Sequence, residues 1–183
     1  GAAQFILLCA ICVQKPKLPF QHAKLAFEKR LIASGLTYSI VRPTAFFKSL
    51  SGQLDRVRAG KPFLVFGNGR LTACKPISDD DLGRFIAGCI SDPARQNKIL
   101  PIGGPGAAIT PMDQAEALFK MLDKPMNVRH VPVWFLGGIH KMLWAAGWGF
   151  AKAAEKAQLA RIGHYYATES MLVLDATTGT YDA

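Results

Sequence analysis

The sequence predicts an α/β layered fold, in which strands alternate with helices. Short apolar runs of strand length recur along the chain, and stretches with helix caps or helical spacing lie between them. The chain has 183 residues, 50% of them hydrophobic, which is enough for one domain, or most of one, with its own core. We find no internal repeat and no linker long enough to divide two domains.

The first elements are a strand, a helix and a second strand. QFILL at 4–8 is a largely apolar run, typical of a strand covered on both faces. Residues 15–19 (KPKLP) break it, and a helix follows from Phe20 until Gly35 ends it. The apolar face of this helix consists of Ala23, Phe27 and Leu31. TYSIV at 37–41 is a second buried strand, which Arg42 and Pro43 are expected to stop.

The middle of the chain predicts a helix and a hairpin. The helix covers roughly 46–59 and ends at Gly60. PFLVF at 62–66 and RLTAC at 70–74 flank Gly67-Asn68-Gly69, a pattern typical of two antiparallel strands joined by a tight turn.

The later elements begin with helix caps. Ser78, with Asp81 three residues on, indicates a capping box before a helix at 80–90. KILPI at 98–102 is a strand, and Gly103-Gly104-Pro105-Gly106 after it is a plain turn, since it lacks the spacing and the lysine of a phosphate loop. Thr110 caps another helix, with Pro111 at its first position. The last third predicts an aromatic helix at 134–146, an alanine-rich helix at 150–161, and a turn at 177–180.

Charge is distributed unevenly. Residues 1–75 hold 12 Lys and Arg against two acids, Glu28 and Asp55, whereas residues 76–183 hold 10 against 11. The basic first segment indicates an anionic partner, such as dinucleotide phosphates, a substrate carboxylate or an acidic membrane surface, although a solubilising surface explains it equally well. We expect no nucleic acid, because the basic residues are scattered and show no groove- or base-reading motif.

Four cysteines, at positions 9, 12, 74 and 89, are predicted to be buried reduced thiols. Cys9 and Cys12 form a C-x-x-C motif, but no second pair or histidine stands at the spacing that a zinc site needs. A redox motif of this kind normally opens a helix, whereas Val-Gln-Lys-Pro follows Cys12. We therefore predict no metal at these residues.

Several segments resemble known enzymes. FQHAK (20–24), IVRPTAFF (40–47) and ISDDDLGRFIAGCISDP (77–93), followed by LPIGGPGAAITPMDQAEALFKML, resemble segments of extended short-chain dehydrogenases in the same order. AICVQKP, the whole stretch 20–53, ACKPIS and the late IGHYYATESMLVLD are similar to the plant-type divinyl chlorophyllide 8-vinyl-reductase family. This resemblance covers nearly the whole chain.

The resemblance implies that the chain is the carboxyl-terminal part of a Rossmann-like short-chain dehydrogenase fold. It would hold the last strands of a doubly wound sheet plus a small substrate-side subdomain, within a single partial domain. Residues 1–60 would end the dinucleotide-binding sheet and carry the Lys24 helix, and residues 61–183 would form the substrate-side and carboxyl-terminal part.

The resemblance also implies a function: hydride transfer from NADPH to the 8-vinyl group of a tetrapyrrole chlorophyll precursor, in the plastid stroma or at the thylakoid. The alternative is a non-catalytic structural or pigment-associated subunit of a plastid membrane assembly derived from this reductase. In that alternative, His22, His130, His140 and His164 are candidate axial ligands of a chlorophyll magnesium.

The implied catalytic positions are Lys24 and Phe20. Lys24 would hydrogen-bond the nicotinamide ribose and so orient the cofactor. Phe20 stands where dehydrogenases have a tyrosine, and it cannot donate a proton; reduction of a conjugated vinyl group forms no alkoxide that needs one. Cys9 stands where a serine is usual, so no polar help to the substrate is expected from it.

The remaining implied site residues would bind the nicotinamide and the tetrapyrrole. The Pro43-Thr44 backbone would bind the nicotinamide amide, and Phe20, Phe46 and Phe47 would line the pocket. A flat apolar surface for the tetrapyrrole would come from other aromatic residues, namely Trp134, Trp144, Trp148, Tyr165 and Tyr166.

The dinucleotide fingerprint of this fold belongs to its first strand-helix-strand unit. No G-x-x-G-x-x-G motif occurs among the 183 residues, so we expect the chain to be inactive alone. In the strand order of such a sheet, residues 4–8 would have one unpaired edge. We expect a missing amino-terminal half, or a partner chain, to cover it.

Overall fold

The computed structural model describes residues 3–135 and 151–181. It is an α/β structure with parallel strands, as the sequence predicts. The chain forms two compact units: the first comprises Gly1–Leu50, Cys74–Ala108 and Met171–Ala183, and the second comprises Ser51–Ala73 and Ile109–Ser170. The units interleave along the chain, and the predicted division at residue 60 stays a prediction.

The first unit contains a three-stranded parallel sheet with two long helices. Its strands are β1 (Gln4–Leu8), β2 (Thr37–Pro43) and β4 (Lys98–Ile102), in the order β1-β2-β4. Its long helices are α1 (Pro19–Ile32) and α4 (Asp79–Ser91), and the short helix α2 (Phe47–Leu50) follows β2.

The register of this sheet pairs Leu8 with Val41 and Val41 with Leu100. Within the described ranges β1 pairs with β2 alone, so β1 lies at the edge of the sheet. Strand β2 continues to Pro43, past the predicted end at Val41. A proline is tolerated there because the strand ends at this residue and needs no further N–H donor.

A hydrophobic core covers each face of the sheet. Cys9, Val13 and Ile40 pack with Leu31 of α1 on one face. Val41 and Ile77 pack with Leu82 and Cys89 of α4 on the other. Neighbouring residues of β1 point to opposite faces, since Leu7 joins the first cluster and Ile6 the second. This two-sided burial explains why β1 and β2 are apolar in consecutive positions.

The second unit packs helices on a two-stranded sheet. Its elements are α3 (Leu54–Arg58), β3 (Phe63–Phe66), α5 (Pro111–Met121), β5 (Val128–Val131) and α6 (Ala151–Thr168). A core of Val57, Phe63, Val65, Ala115 and Phe119 holds the α3, β3 and α5 segments together. The alanine-rich helix, predicted at 150–161, extends further at its carboxyl end, to Thr168. Most of the aromatic helix predicted at 134–146 lies outside the described residues.

The predicted hairpin at 62–74 is wrong. β3 pairs with β5 in parallel, with Phe63 opposite Val128, and residues 70–74 form no strand beyond one isolated bridge from Cys74 to Met171. After Gly67-Asn68-Gly69 the backbone contacts the start of α5, where the Gly69 carbonyl accepts from the Met112 amide at 3.0 Å. β5 was not predicted from the sequence.

The predicted helix at 46–59 is broken. Between α2 and α3 the residues Ser51–Gln53 form a short 3-10 turn. The Gln53 side chain pairs with the Leu64 backbone in both directions, accepting at 2.7 Å and donating at 2.8 Å. The segment ends as predicted at Gly60, where a positive φ of 75° suits glycine.

The predicted helix caps are confirmed. The Ser78 hydroxyl accepts from the Asp81 amide at the start of α4. Thr110 and Asp113 form a reciprocal capping box at α5, with Pro111 in the first turn. The predicted turn at 177–180 is also present, where the Asp175 amide donates to the Thr180 carbonyl at 2.9 Å. Among the helices of residues 3–135 and 151–181, none is both long and apolar enough to cross a membrane.

Candidate functional site

A cavity of about 380 Å³ lies in the first unit beside the end of β1. Its walls are formed by Leu7 and Cys9 from β1 and the residue after it, and by Ala23, Lys24 and Phe27 from α1. Lys24 is therefore the cationic side chain of an otherwise apolar pocket. The structure brings together the end of the first strand and the middle of the first helix, which carries Lys24, the lysine to which the resemblance assigns a catalytic role.

The connection from β1 to α1 is held by Gln21, whose side chain is fully buried. Its amide oxygen accepts from the Lys17 amide at 2.7 Å and from the Leu18 amide at 2.9 Å. Its amide nitrogen donates to the Cys12 carbonyl at 3.0 Å. One side chain thus satisfies three backbone groups of the loop, which fixes where α1 begins relative to β1.

We expect Gln21→Leu to lower the free energy of unfolding by about 3 kcal/mol. Leucine fills similar space but removes the hydrogen bonds to the Lys17, Leu18 and Cys12 backbone groups, and a buried group that loses such a bond costs about 1–3 kcal/mol. Urea unfolding followed by circular dichroism measures the loss. The control is Gln158→Leu at an exposed position of α6. Equal midpoints for the two variants would show that Gln21 does not hold the loop.

Four residues after Lys24, on the next turn of α1, lies the buried carboxylate of Glu28. Its side chain is 3% exposed and forms a bidentate ion pair with Arg42 of β2, whose side chain is 16% exposed. The Arg42 Nε donates to Glu28 Oε1 at 3.0 Å, and Nη2 donates to Oε2. The pair ties α1 to the central strand and compensates two buried charges.

The same carboxylate also acts on the Cys9 thiol. Burial, and then the hydrogen bond and negative charge of Glu28, raise the pKa of the Cys9 thiol to about 11, while the positive charge of Lys24 acts weakly in the opposite direction. The thiol is therefore protonated at neutral pH. Its backbone is fixed as well, because the Cys9 amide donates to the Val41 carbonyl at 2.8 Å.

The other residues predicted for the site lie in the first turn of α1 and at the end of β2. Phe20 is half-buried in the first turn of α1. Pro43 and Thr44 are buried; the Thr44 amide donates to the Ile102 carbonyl at 2.9 Å, and its hydroxyl donates to the Lys75 carbonyl. Because that amide and hydroxyl are engaged, a nicotinamide amide would have to bind backbone carbonyls here.

The two phenylalanines that follow have different environments. Phe46 packs with the core between the sheet and α4 and forms a bridge with Ile77. Phe47 is 55% exposed. Phe46 thus has a core contact that the sequence did not predict, and its role in a pocket, like that of Phe47, stays a prediction.

The aromatic residues predicted to bind the substrate also differ in exposure. Trp134 is 74% exposed and meets Phe135 edge to face, with ring centroids 6.2 Å apart. Tyr165 is 3% exposed and meets Tyr166 at 5.5 Å. Trp144 and Trp148 lie outside the described residues. Trp134 therefore offers an exposed ring for binding, whereas Tyr165 belongs to the interior.

None of the described histidines lines the cavity. His22 is exposed, His130 Nδ1 lies 2.9 Å from the Gly67 carbonyl, and His164 is half-buried in α6. His140 lies outside the described residues. Within residues 3–135 and 151–181, no cluster of three or more His, Cys, Asp or Glu could hold a metal ion. The four cysteines are buried and form no disulfide, as predicted.

The glycine-rich segment after β4 is a turn, as predicted. The Gly104 amide donates to the Lys75 carbonyl at 3.2 Å, so it is used within the chain. A Cβ at Gly104 would overlap the Pro76 carbonyl. The glycines here allow two backbone segments to approach each other.

Sequence reasoning missed Glu28, Arg42 and Gln21. A signal for Glu28 was present: it is one of two acids in the first 75 residues, and it follows Lys24 at the spacing of one helical turn. An acid on a helix face that also carries buried apolar residues indicates a paired carboxylate. No local signal marks Gln21, because its partners belong to an irregular loop.

Curated relatives match this chain over nearly its whole length. It is 52% identical over 193 aligned residues to "Divinyl chlorophyllide a 8-vinyl-reductase, chloroplastic" of Oryza sativa subsp. indica, covering 99% of this chain and 46% of the relative. The proteins of the same name from Cucumis sativus and Arabidopsis thaliana are 52% and 51% identical. The chain spans about half the length of these relatives. No family model matches it.

Solved structures show the fold. An NADPH-dependent quinone oxidoreductase from Escherichia coli, complexed with NADPH, matches with a TM-score of 0.66 over 92% of this chain and 57% of that chain, at 16% identity. A nucleoside-diphosphate-sugar epimerase from Staphylococcus aureus matches with a TM-score of 0.62 over 92% and 55%, also at 16% identity. The chain therefore has a Rossmann-like fold of the short-chain dehydrogenase type, as the resemblance implied.

Proposed function

Because the chain belongs by sequence to the divinyl chlorophyllide a 8-vinyl-reductase family, of whose members it spans about half the length, we propose that it is the carboxyl-terminal part of such a reductase. The observation that carries the proposal is the identity of 51–52% over at least 99% of the chain to four relatives with that name. The complete enzyme would reduce the 8-vinyl group of a divinyl chlorophyllide. Since the relatives are named chloroplastic, we place it in the plastid.

NADPH is the proposed cofactor, and when bound it supplies a hydride. The cavity beside β1 supports this assignment, because about 380 Å³ is the size of a small-ligand site and its one cationic wall residue is Lys24. In this arrangement Lys24 donates to the ribose hydroxyls and holds the nicotinamide end in place. The backbone carbonyls of Pro43 and Thr44 accept from the nicotinamide amide.

A flat tetrapyrrole would bind against exposed apolar rings. In the first unit, which holds the cavity, Phe47 offers such a ring. In the second unit, Trp134 is exposed and Tyr165 is buried. A non-catalytic subunit is not favoured, since all four relatives are named for the reductase activity.

The open edge of β1 supports the proposal that this chain is completed by other residues. Phe5 and Leu8 of this strand are 38% and 45% exposed, and the strand carries no charge. Such an edge is a ready template for pairing with another strand. We propose that the amino-terminal half of the reductase covers it.

The function is tested with a chimera, in which the segments of the rice relative that this chain does not match are joined to it. We expect the chimera, with NADPH, to convert divinyl chlorophyllide to the monovinyl form, as followed by chromatography. A folded chimera that leaves the vinyl group intact would contradict the proposed function. The unmodified rice enzyme is the positive control.

The chain by itself is expected to bind NADPH weakly, with a Kd above the micromolar range. The motif that binds the pyrophosphate in this fold is absent from the sequence, so only the nicotinamide end could be held. Isothermal titration calorimetry of the 183-residue chain, with the rice enzyme in parallel, measures this affinity. Micromolar or tighter binding by the chain would show that it carries a complete dinucleotide site.

A further inference from the structure

The proposed reaction assigns a role to Lys24 but none to Cys9, which lines the same cavity, or to Glu28. Lys24 and Cys9 line the cavity, and the Glu28 carboxylate, paired with Arg42, acts electrostatically on the Cys9 thiol. Three elements contribute: the end of β1, helix α1 and strand β2. The arrangement gives the cavity a thiol that is backed by a buried, compensated carboxylate.

We propose that Cys9, from which the resemblance implies no polar help to the substrate, is the proton donor of the Lys24 cavity and that the Glu28 carboxylate acts on its thiol. The proposal rests on the proposed function and deepens it. Saturating a vinyl group takes a hydride and a proton, and Phe20 carries no proton to give. Of the five residues that line the cavity, Cys9 and Lys24 bear ionisable groups, and Lys24 is assigned to the ribose.

The step balances with the groups named. As the hydride forms a bond with one vinyl carbon, the π electron pair moves to the other carbon and the conjugated macrocycle. The Cys9 S–H bond then breaks and its proton forms a C–H bond at that carbon, so the vinyl group becomes an ethyl group. Water returns a proton to the sulfur and leaves hydroxide.

Glu28 contributes by favouring the protonated form of the Cys9 thiol. A thiolate beside its carboxylate is unfavourable, so sulfur takes a proton back after each turnover. Arg42 donates to both oxygens of the carboxylate, which fixes the position of its negative charge.

The first test uses the 183-residue chain and needs neither cofactor nor substrate. Alkylation of Cys9 by iodoacetamide is followed by peptide mass spectrometry between pH 7.5 and 9.5, where the rate is proportional to the thiolate fraction. The wild-type rate should rise with pH without a plateau, since the pKa of this thiol is about 11. Glu28→Gln should alkylate about tenfold faster, the effect of lowering the pKa by one unit.

Two further variants keep this test decisive. Lys24→Met, at a half-buried position, should slow alkylation, because a positive charge that acts on the Cys9 thiol is lost. Glu116→Gln, in the second unit and 57% exposed, should leave the rate unchanged. If Glu28→Gln stays folded by circular dichroism and shows the wild-type rate, or if Lys24→Met does not slow it, the proposal is overturned.

The second test uses the chimera described above. Cys9→Ala should reduce the vinyl group about a hundredfold more slowly, the usual contribution of a positioned acid, with the affinity for NADPH unchanged. The solvent deuterium isotope effect of the wild-type chimera should change in Cys9→Ala, which a purely structural role would not cause. Full activity of Cys9→Ala in an active chimera would overturn this inference alone, whereas a folded, inactive wild-type chimera would overturn it together with the proposed function.

Discussion

Lys24→Met is expected to lower the rate of vinyl reduction by the chimera about a hundredfold, the usual cost of misplacing a reacting group. Lys24 is the cationic residue of the cavity wall and lies on α1, which Gln21 and the Glu28–Arg42 pair hold in place. Methionine keeps the length and the apolar stem of lysine but removes the hydrogen bonds to the ribose. The rate constant with saturating chlorophyllide, and the Michaelis constant for NADPH, are the quantities to measure.

Phe20→Tyr and Lys29→Met are the matched comparisons. A hydroxyl at Phe20 should have a much smaller effect, because vinyl reduction forms no alkoxide that a phenol could protonate. Lys29 is exposed on the same helix, so Lys29→Met should retain the wild-type rate. A larger loss in Phe20→Tyr than in Lys24→Met would refute the assignment of Lys24 to the cofactor.

Arg42→Met is expected to lower the free energy of unfolding of the chain by about 3–5 kcal/mol, the usual cost of removing one partner of a buried ion pair. The Glu28 side chain, 3% exposed, would lose the two hydrogen bonds from the guanidinium. Guanidinium chloride unfolding at pH 7, followed by circular dichroism, measures the change.

The control for this prediction is Arg58→Met. Arg58 pairs with Asp55 at 3.6 Å, with side chains that are 60% and 97% exposed, so its loss should cost about 0–1 kcal/mol. The double variant Glu28→Met with Arg42→Met removes both charges and should recover most of the stability. Equal losses in Arg42→Met and Arg58→Met would show that the buried pair is not needed for the fold.

Elements with local signals could be predicted from the sequence. α4 and α5 begin at the predicted caps, Ser78 and Thr110, because a hydroxyl that accepts from the third helical amide is a feature of a few neighbouring residues. β1, β2 and β4 also lie where apolar runs predicted them, with β2 two residues longer. Because these strands are covered on both faces, their residues are apolar at consecutive positions, and the sequence alone shows this.

The pairing of β3 with β5 could not be predicted in the same way. The Gly67-Asn68-Gly69 turn favoured an antiparallel partner directly after β3, whereas the observed partner, Val128–Val131, is parallel and about 60 residues away. A parallel pair has no connecting turn to mark it, because a crossover separates its strands. The Gly69 backbone instead contacts α5, and no local signal shows that choice.

The candidate site, like the fold, could be predicted from the sequence only in part. The sequence by itself determined the α/β class, the position of Lys24 on the helix after the first strand and, through resemblance, the reductase family. Only the tertiary structure showed that Glu28 is buried against Arg42 and that its carboxylate raises the pKa of the Cys9 thiol. Both follow because α1 packs on the parallel strands β1 and β2, which brings residues 9, 28 and 42 into one region. Such long-range packing sets burial and charge pairing, and these set the protonation of the thiol.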